Sequence, residues 1–179
     1  MINEPKILQQ LHDSRQREQA FTLVVREFQE PLYWQIRRMV LYHEDANDVL
    51  QNTFLKAWSS LDTFRGEAKL STWLFRIAVN ESLNHLEKQK KSVRLDDDED
   101  GTANLLQSDP YFDGDETQLQ LQEAIGTLPE KQRIVFNLKY FQEMKYEEMS
   151  QVLGTSVGAL KASYHHAVQK ITSFFEKLD

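Results

Sequence analysis

The stretch VRLDDDEDGTANLLQSDPYFDGDETQ, residues 93–118, sets the first limit on how this chain folds. Asp96 to Asp100 form an unbroken acidic run, and Gly101, Asp109-Pro110 and Gly114 punctuate the residues after it. Like charges repel and turn residues break helices, so the stretch predicts a flexible linker. Two readings of its acids stay open, a solvated loop or a segment that also mimics nucleic acid. Either way a domain over residues 1–92 is set apart from one over 119–179. The charge divides with them. Residues 1–92 carry 13 basic and 12 acidic residues, 93–118 carry one and nine, and 119–179 carry seven of each. The net charge of -7 therefore lies in the linker. Two nearly neutral flanks leave nucleic-acid binding open.

Both flanks read as helix. Six Gly and four Pro in 179 residues, with no β-branched alternation, point to an all-α fold. In the first domain Phe21, Val24, Val25, Phe28, Leu32, Ile36 and Met39 recur at steps of three and four, an apolar helical stripe. Pro31 inside it predicts a kink or a restart. A second helix is expected from about Asp45, as N-cap, with Ala46, Val49, Leu50, Thr53, Phe54, Ala57, Trp58 and Leu61 inward. A third is expected from about Ser71 to Lys90, with Trp73, Leu74, Ile77 and Ala78 inward, and LDTFRGEAKLS between them as a loop.

In the second domain, Leu119, Ala124 and Ile125 mark a short helix, and Pro129 opens the next, which carries Ile134, Val135, Leu138 and Phe141. A short helix comes next with Tyr146, Met149 and Leu153 on one face, and Gly154 as a left-handed cap. Ser156 then caps a helix that buries Leu160, Tyr164, Ala167, Val168 and Ile171. The expected architecture is two small helical domains joined by an acidic linker, the C-terminal one with a helix–turn–helix.

The catalytic patterns are absent. There is no phosphate-cradling glycine loop, no HExxH, and no ordered Ser, His and Asp set. His165 and His166 are adjacent, and neighbours on a helix point about 100° apart, which is poor geometry for one metal ion. The reading is of a protein that is not an enzyme, with no cofactor, metal or small-molecule substrate. Zero cysteines exclude disulfides and thiolate metal sites. No apolar run reaches the length of a membrane span, and MINEPKILQQLHDSRQ lacks an apolar signal core. A cytoplasmic protein without membrane insertion is expected.

Three features carry binding chemistry. The first is the helix–turn–helix, whose second helix presents Gly158, Lys161, Ala162, His165, His166 and Gln169 outward, with no acid from Val157 to Phe175. On spacing alone an ordinary helical hairpin stays open. The second spans Lys56 to Lys91, where Arg65, Lys69, Arg76 and further lysines interleave with Phe64, Trp73 and Phe75. Charge that follows a backbone and rings that stack on bases suit an unpaired strand. Core aromatics beside solvated lysines are the alternative, with Trp73 assigned to the core. The third is the outer face of the second helix, where Asp45, Asp48, Gln51, Asn52 and Leu55 form a mixed face able to dock on a partner helix.

Taken together, DANDVLQNTFLKAW and LDTFRGEAKLSTWLFRIAVN resemble region 2 of the extracytoplasmic-function sigma factors, compact members of the sigma-70 family. TLPEKQRIVFNLKYFQEMKYEEMSQVLGTSVGALKAS resembles their region 4. The resemblance implies docking on a coiled coil of the largest subunit of core RNA polymerase through Asp48, Gln51, Asn52 and Leu55, with Asp45 and Phe54 beside them. It implies capture of a base flipped from the -10 promoter element by Ser60, Phe64, Ile77 and Asn80, with Lys56, Arg65, Phe75 and Arg76 nearby. It implies reading of the -35 duplex by Lys161, Ala162, Ser163, His165 and His166, near Ser156 and Gly158, with Arg133, Lys145 and Tyr146 on phosphates. An anti-sigma factor is a further implied partner. GALKASYHHA departs from the arginine-bearing pattern of such helices, placing Ser163 and His166 where arginines are usual, so an altered -35 preference is expected. The competing readings are a stand-alone helix–turn–helix regulator and a helical adaptor that never touches DNA.

Overall fold

A computed structural model describes residues 1–92 and 114–179. The chain forms two compact units, the first built on residues 1–40 and 44–92, the second on 114–179. Among the described residues there are helices and turns and no strand. Most of the expected linker, residues 93–113, lies outside the described residues. Its last part does not stay irregular: Asp115 accepts a hydrogen bond from the Gln118 amide and starts a helix at Glu116.

The first unit holds α1 (Glu4–His12), α2 (Arg17–Val40), α3 (His43–Ser59), a 3-10 turn (Leu61–Thr63) and α4 (Leu70–Ser92). Helix α1 was not anticipated. Asn3 caps it by accepting from the Lys6 amide, and Ile7 and Leu11 are buried. Helix α2 continues through Pro31 without restarting. Pro31 is exposed, so the carbonyl left without a donor one turn earlier can bond to water. Leu32, Tyr33, Ile36, Met39 and Val40 of α2 are fully buried, and α2 packs along α4. Gln35 Nε2 ties the two helices by donating to the Phe75 carbonyl at 3.2 Å. Two buried hydroxyls are satisfied within their own helices, Thr53 on the Val49 carbonyl and Ser82 on the Ala78 carbonyl, both at 2.7 Å.

The inward stripes differ from expectation in two places. Helix α3 begins at His43, so Asp45 stands in its first turn, and Trp58 is 42% exposed, edge-on to Phe21 at 5.1 Å. In α4 the buried set is Leu70, Leu74, Ala78, Val79, Ser82 and Leu86, which leaves Trp73 and Ile77 half-buried at its margin. A wide indole at the edge of an apolar stripe is placed by the shape of its neighbours, which helical spacing does not encode.

The second unit holds α5 (Glu116–Gly126), α6 (Glu130–Tyr140), α7 (Tyr146–Leu153) and α8 (Val157–Glu176). Ala124, Ile125, Leu128, Phe136, Ala167 and Ile171 form a core cluster, closed by Leu121, Phe141, Tyr164, Phe174 and Phe175. Val168, expected inside, is exposed. Gly154 ends α7 at φ 64°, and its amide donates to the Ser150 carbonyl at 2.9 Å. Ser156 caps α8 by accepting from the Ala159 amide at 3.3 Å. The two caps, two residues apart, fix how α8 leaves α7.

A Cβ at Gly154 would meet nothing within 4 Å, so substitution there carries a backbone cost only. Gly154→Ala is expected to lose about 1 kcal/mol of stability and Gly154→Asn clearly less, read by urea unfolding. Equal losses would show that α7 does not depend on a left-handed cap.

Candidate nucleic-acid interface

Each unit presents one basic, aromatic surface. In the first, the chain leaves α3 through Ser60, whose carbonyl accepts from the Thr63 hydroxyl at 2.7 Å. This closes the 3-10 turn and delivers Phe64 to the start of the loop before α4. Phe64 is only 6% exposed and lies nearly parallel to Trp73, ring centroids 4.5 Å apart and planes 22° apart. Gly66 takes φ 77° and lets the loop fold back over α4. The result is a cavity of about 610 Å³ lined by Thr63, Phe64, Arg65, Glu67, Ala68, Trp73 and Arg76.

The expected strand-binding residues divide around that cavity. Phe64, Arg65 and Arg76 line it. Ile77 and Asn80 share the helix face of Trp73 and Arg76 at steps of three and four, with Asn80 exposed beyond the cavity. Phe75 stands about 200° round the helix from Trp73, so it points away. Lys56 is exposed near the end of α3 and Ser60 serves the turn. Trp73, which spacing assigned to the core, is a wall of the cavity, and Phe64, expected in the pocket, is the more covered member of the stack. Thr63, Glu67 and Ala68 were missed, since loop residues carry no periodic signal.

The outer face of α3 carries Asp48, Gln51 and Asn52, all exposed, and Leu55, 60% exposed. Trp58 extends that face by one turn. Phe54 is half-buried against Phe21, rings edge-on at 6.3 Å. Asp45 is turned inward to α4: it accepts from Gln89 Nε2 at 3.1 Å and lies 3.5 Å from His85 Nε2. Its carboxylate is therefore a tie between helices, not part of the open face.

In the second unit the outer face of α8 presents Gly158, Lys161, Ala162, His165 and His166, with Ser163 half-buried. Lys145 is exposed just before α7. Tyr146 comes next, with Lys139 Nζ 4.5 Å and Lys161 Nζ 5.6 Å from its ring centre, so the ring gathers two cations beside the face. Burial pushes the Tyr164 phenol up, and Tyr146 and Tyr140 add to the effect. Arg133, expected on phosphate, is among the buried residues of this unit. It is 7% exposed, and burial lowers its pKa, with Glu130 opposing. It lies on α6, where Ile134, Val135 and Phe136 are buried as well.

Comparison with known proteins decides what such a chain is. Residues 24–92 match the family described as Sigma-70 region 2, and residues 118–171 match Sigma-70, region 4. The chain is 31% identical to the RNA polymerase sigma-H factor of Pseudomonas aeruginosa over 95% of its own length and 94% of the relative's. It is 32% identical to the ECF RNA polymerase sigma factor SigW of Bacillus subtilis, covering 82% of this chain and 83% of that one. This chain is an extracytoplasmic-function sigma factor of the sigma-70 family.

The fold of this sigma factor is shared with solved relatives. One is the sigma factor RpoE in complex with the anti-sigma factor NepR from Bartonella quintana, at TM-score 0.66, 22% identity, and coverage of 87% of this chain and 96% of that one. Another is CnrH in complex with the cytosolic domain of CnrY, at TM-score 0.60, 22% identity and 97% coverage of both. The cavity and the α3 face of this sigma factor fall within the region 2 match, and the α7–α8 pair within the region 4 match. Helix α1 falls outside both. Among the described residues, no helix is long and apolar enough to cross a membrane, and no three His, Asp or Glu are grouped to hold a metal ion.

The inward turn of Asp45 separates it from its neighbours on α3. Asp45→Ala is expected to cost about 1 kcal/mol in urea unfolding, and Asp48→Ala less than about 0.5 kcal/mol. The reverse order would return Asp45 to the open face.

Proposed function

We propose that this sigma factor joins core RNA polymerase and directs it to promoters by holding an unpaired -10 base in the cavity of the first unit and reading the -35 duplex with α8. The observation that carries the proposal is the cavity walled by the Phe64–Trp73 stack and flanked by Arg65 and Arg76. A flipped base costs a few kcal/mol to extract from the duplex. Stacking on one aromatic face returns about 1–3 kcal/mol, and cations at the rim follow the backbone. Trp73 supplies the face. Asn80, exposed on the same side of α4, supplies hydrogen bonds.

Docking falls to α3. Asp48, Gln51 and Asn52 give polar contacts and Leu55 an apolar anchor suited to a helical partner, and exposed Trp58 extends the anchor. Of the two solved neighbours named above, one is a sigma factor held by an anti-sigma factor and the other is CnrH held by the cytosolic domain of CnrY. An anti-sigma factor that covers the α3 face would exclude polymerase by occupancy, and this chain is proposed to have such a partner. The factor acts in the cytoplasm with the polymerase.

On the duplex, Lys161, His165, His166, Ala162 and Ser163 form the reading face, and Lys145 with Tyr146 meets the backbone. A face with so few permanent cations releases few counterions, so its grip is weak alone and depends on the rest of the complex.

Two measurements test these roles with wild-type and variant holoenzyme at a promoter chosen from a random library by the wild type. Trp73→Ala and Asn80→Ala are each expected to bind core polymerase within about twofold of wild type yet reduce permanganate-reactive open complexes about tenfold. Leu55→Asp is expected to weaken core binding itself. Normal opening by Trp73→Ala would dismiss the cavity as the capture site. For the duplex face, Lys161→Met should lower the slope of log affinity against log salt by about one, and Arg133→Met should leave it unchanged. A reduced slope for Arg133→Met would restore that residue to the phosphate contacts.

A further inference from the structure

We propose that α1 is a positioning brace for the strand-capture cavity, working through Glu4 and Arg17; the inference rests on the capture reading above. Helix α1 does not line the cavity. It holds the loop that does.

Three contacts pin the loop from below. Glu4 Oε1 accepts from the Leu70 amide at 2.6 Å, across 66 residues of chain. Leu70 is the first residue of α4, and its N–H has no partner within the helix. A carboxylate there also meets the positive end of the helix dipole. Glu4 thus sets where α4 begins, less than one turn before Trp73. At the other end, one guanidinium joins α1 to the 3-10 turn. Arg17 Nε donates to the Leu11 carbonyl at 2.8 Å, and Arg17 Nη2 to Asp62 Oδ1 at 2.7 Å. Between these pins, Leu8 of α1 comes within 3.4 Å of the place a Cβ on Gly66 would occupy. The loop is bonded at Asp62 and Leu70, and Leu8 lies beside Gly66 midway between them. Thr63, Phe64, Arg65, Glu67 and Ala68, which line the cavity, lie between those pins.

The pins are not equal. The Arg17–Asp62 pair is half open to solvent, and such pairs contribute little alone. The Glu4 bond serves a buried residue and is charge-assisted, so it is the stronger hold. A loop ordered before the base arrives spends none of the stacking energy on its own ordering. Residues 4–17 precede the region 2 match, which begins at residue 24. The brace therefore adds to the region 2 body from outside the matched stretch.

The test uses full-length protein in holoenzyme. Glu4→Ala is expected to lower open-complex formation about tenfold, the size of one lost charge-assisted hydrogen bond, with core binding unchanged. Glu4→Gln keeps an accepting oxygen but not the charge and is expected to restore part of the loss, whereas Glu4→Met, of similar bulk with no accepting oxygen, should restore none; rescue by Met would mark a bulk packing role instead. Arg17→Ala should give a smaller loss in the same direction. In a Trp34→Phe, Trp58→Phe background, Trp73 fluorescence reports the loop directly, and Glu4→Ala should raise its quenching by acrylamide. Normal opening and unchanged quenching in Glu4→Ala would overturn the brace. If Trp73→Ala blocks opening while Glu4→Ala does not, only the brace is wrong. If both open normally, the capture reading falls and takes the brace's role with it.

Discussion

Phe64 leaves the 3-10 turn and lands flat against Trp73, a loop ring on a helix ring, and the first unit's surface is organised around that contact. Phe64 is covered and Trp73 is left half open, so the pair offers one aromatic wall instead of two. The wall stands only if the loop between Leu61 and Leu70 returns to α4 at the right register. Gly66 supplies the positive φ, Thr63 closes the turn on Ser60, and α1 holds the two ends. Packing of α2 on α4 sets the scaffold beneath, and the cavity is what the loop makes of it.

The second unit is organised differently. Helix α8 needs no long-range tie, because Gly154 and Ser156 set its exit within three residues. The far side of α8 is then anchored by Ala167 and Ile171 of the core cluster and by buried Leu160. What faces outward is small and lightly charged. The chain's acidity is concentrated in residues 93–118, outside α8 in the sequence. The weak duplex grip and single-strand cavity proposed above suit a factor that commits to DNA as part of a larger machine.

Much of this was readable from residue order, for reasons of range. Gly154 and Ser156 act through bonds to neighbours three or four residues away, and local spacing carries that information. The stripes of α2, α3 and α8 were visible because a 3.6-residue period repeats often enough to be seen. Trp58 and Trp73 were placed inside because hydrophobicity was read as burial, yet each lies at the margin of its stripe, where only the neighbouring helix decides. Arg133 differs in the opposite sense: the resemblance set it on phosphate, and on α6 it is buried. Helix α1 escaped because it is short and its apolar residues are few, and because its bond to Leu70 reaches across 66 residues of chain. Asp45 was assigned by face, but its partners Gln89 and His85 sit on α4, some forty residues away.

On this view the chain is a tethered reader and strand holder, not an independent DNA-binding protein. The most direct measurement mixes the purified chain with its selected promoter, with and without core RNA polymerase, and follows both binding and strand opening at physiological salt. Sequence-specific binding and unpaired -10 thymines are expected only when core polymerase is present. Tight, sequence-specific binding by the chain alone would contradict that and identify a stand-alone regulator.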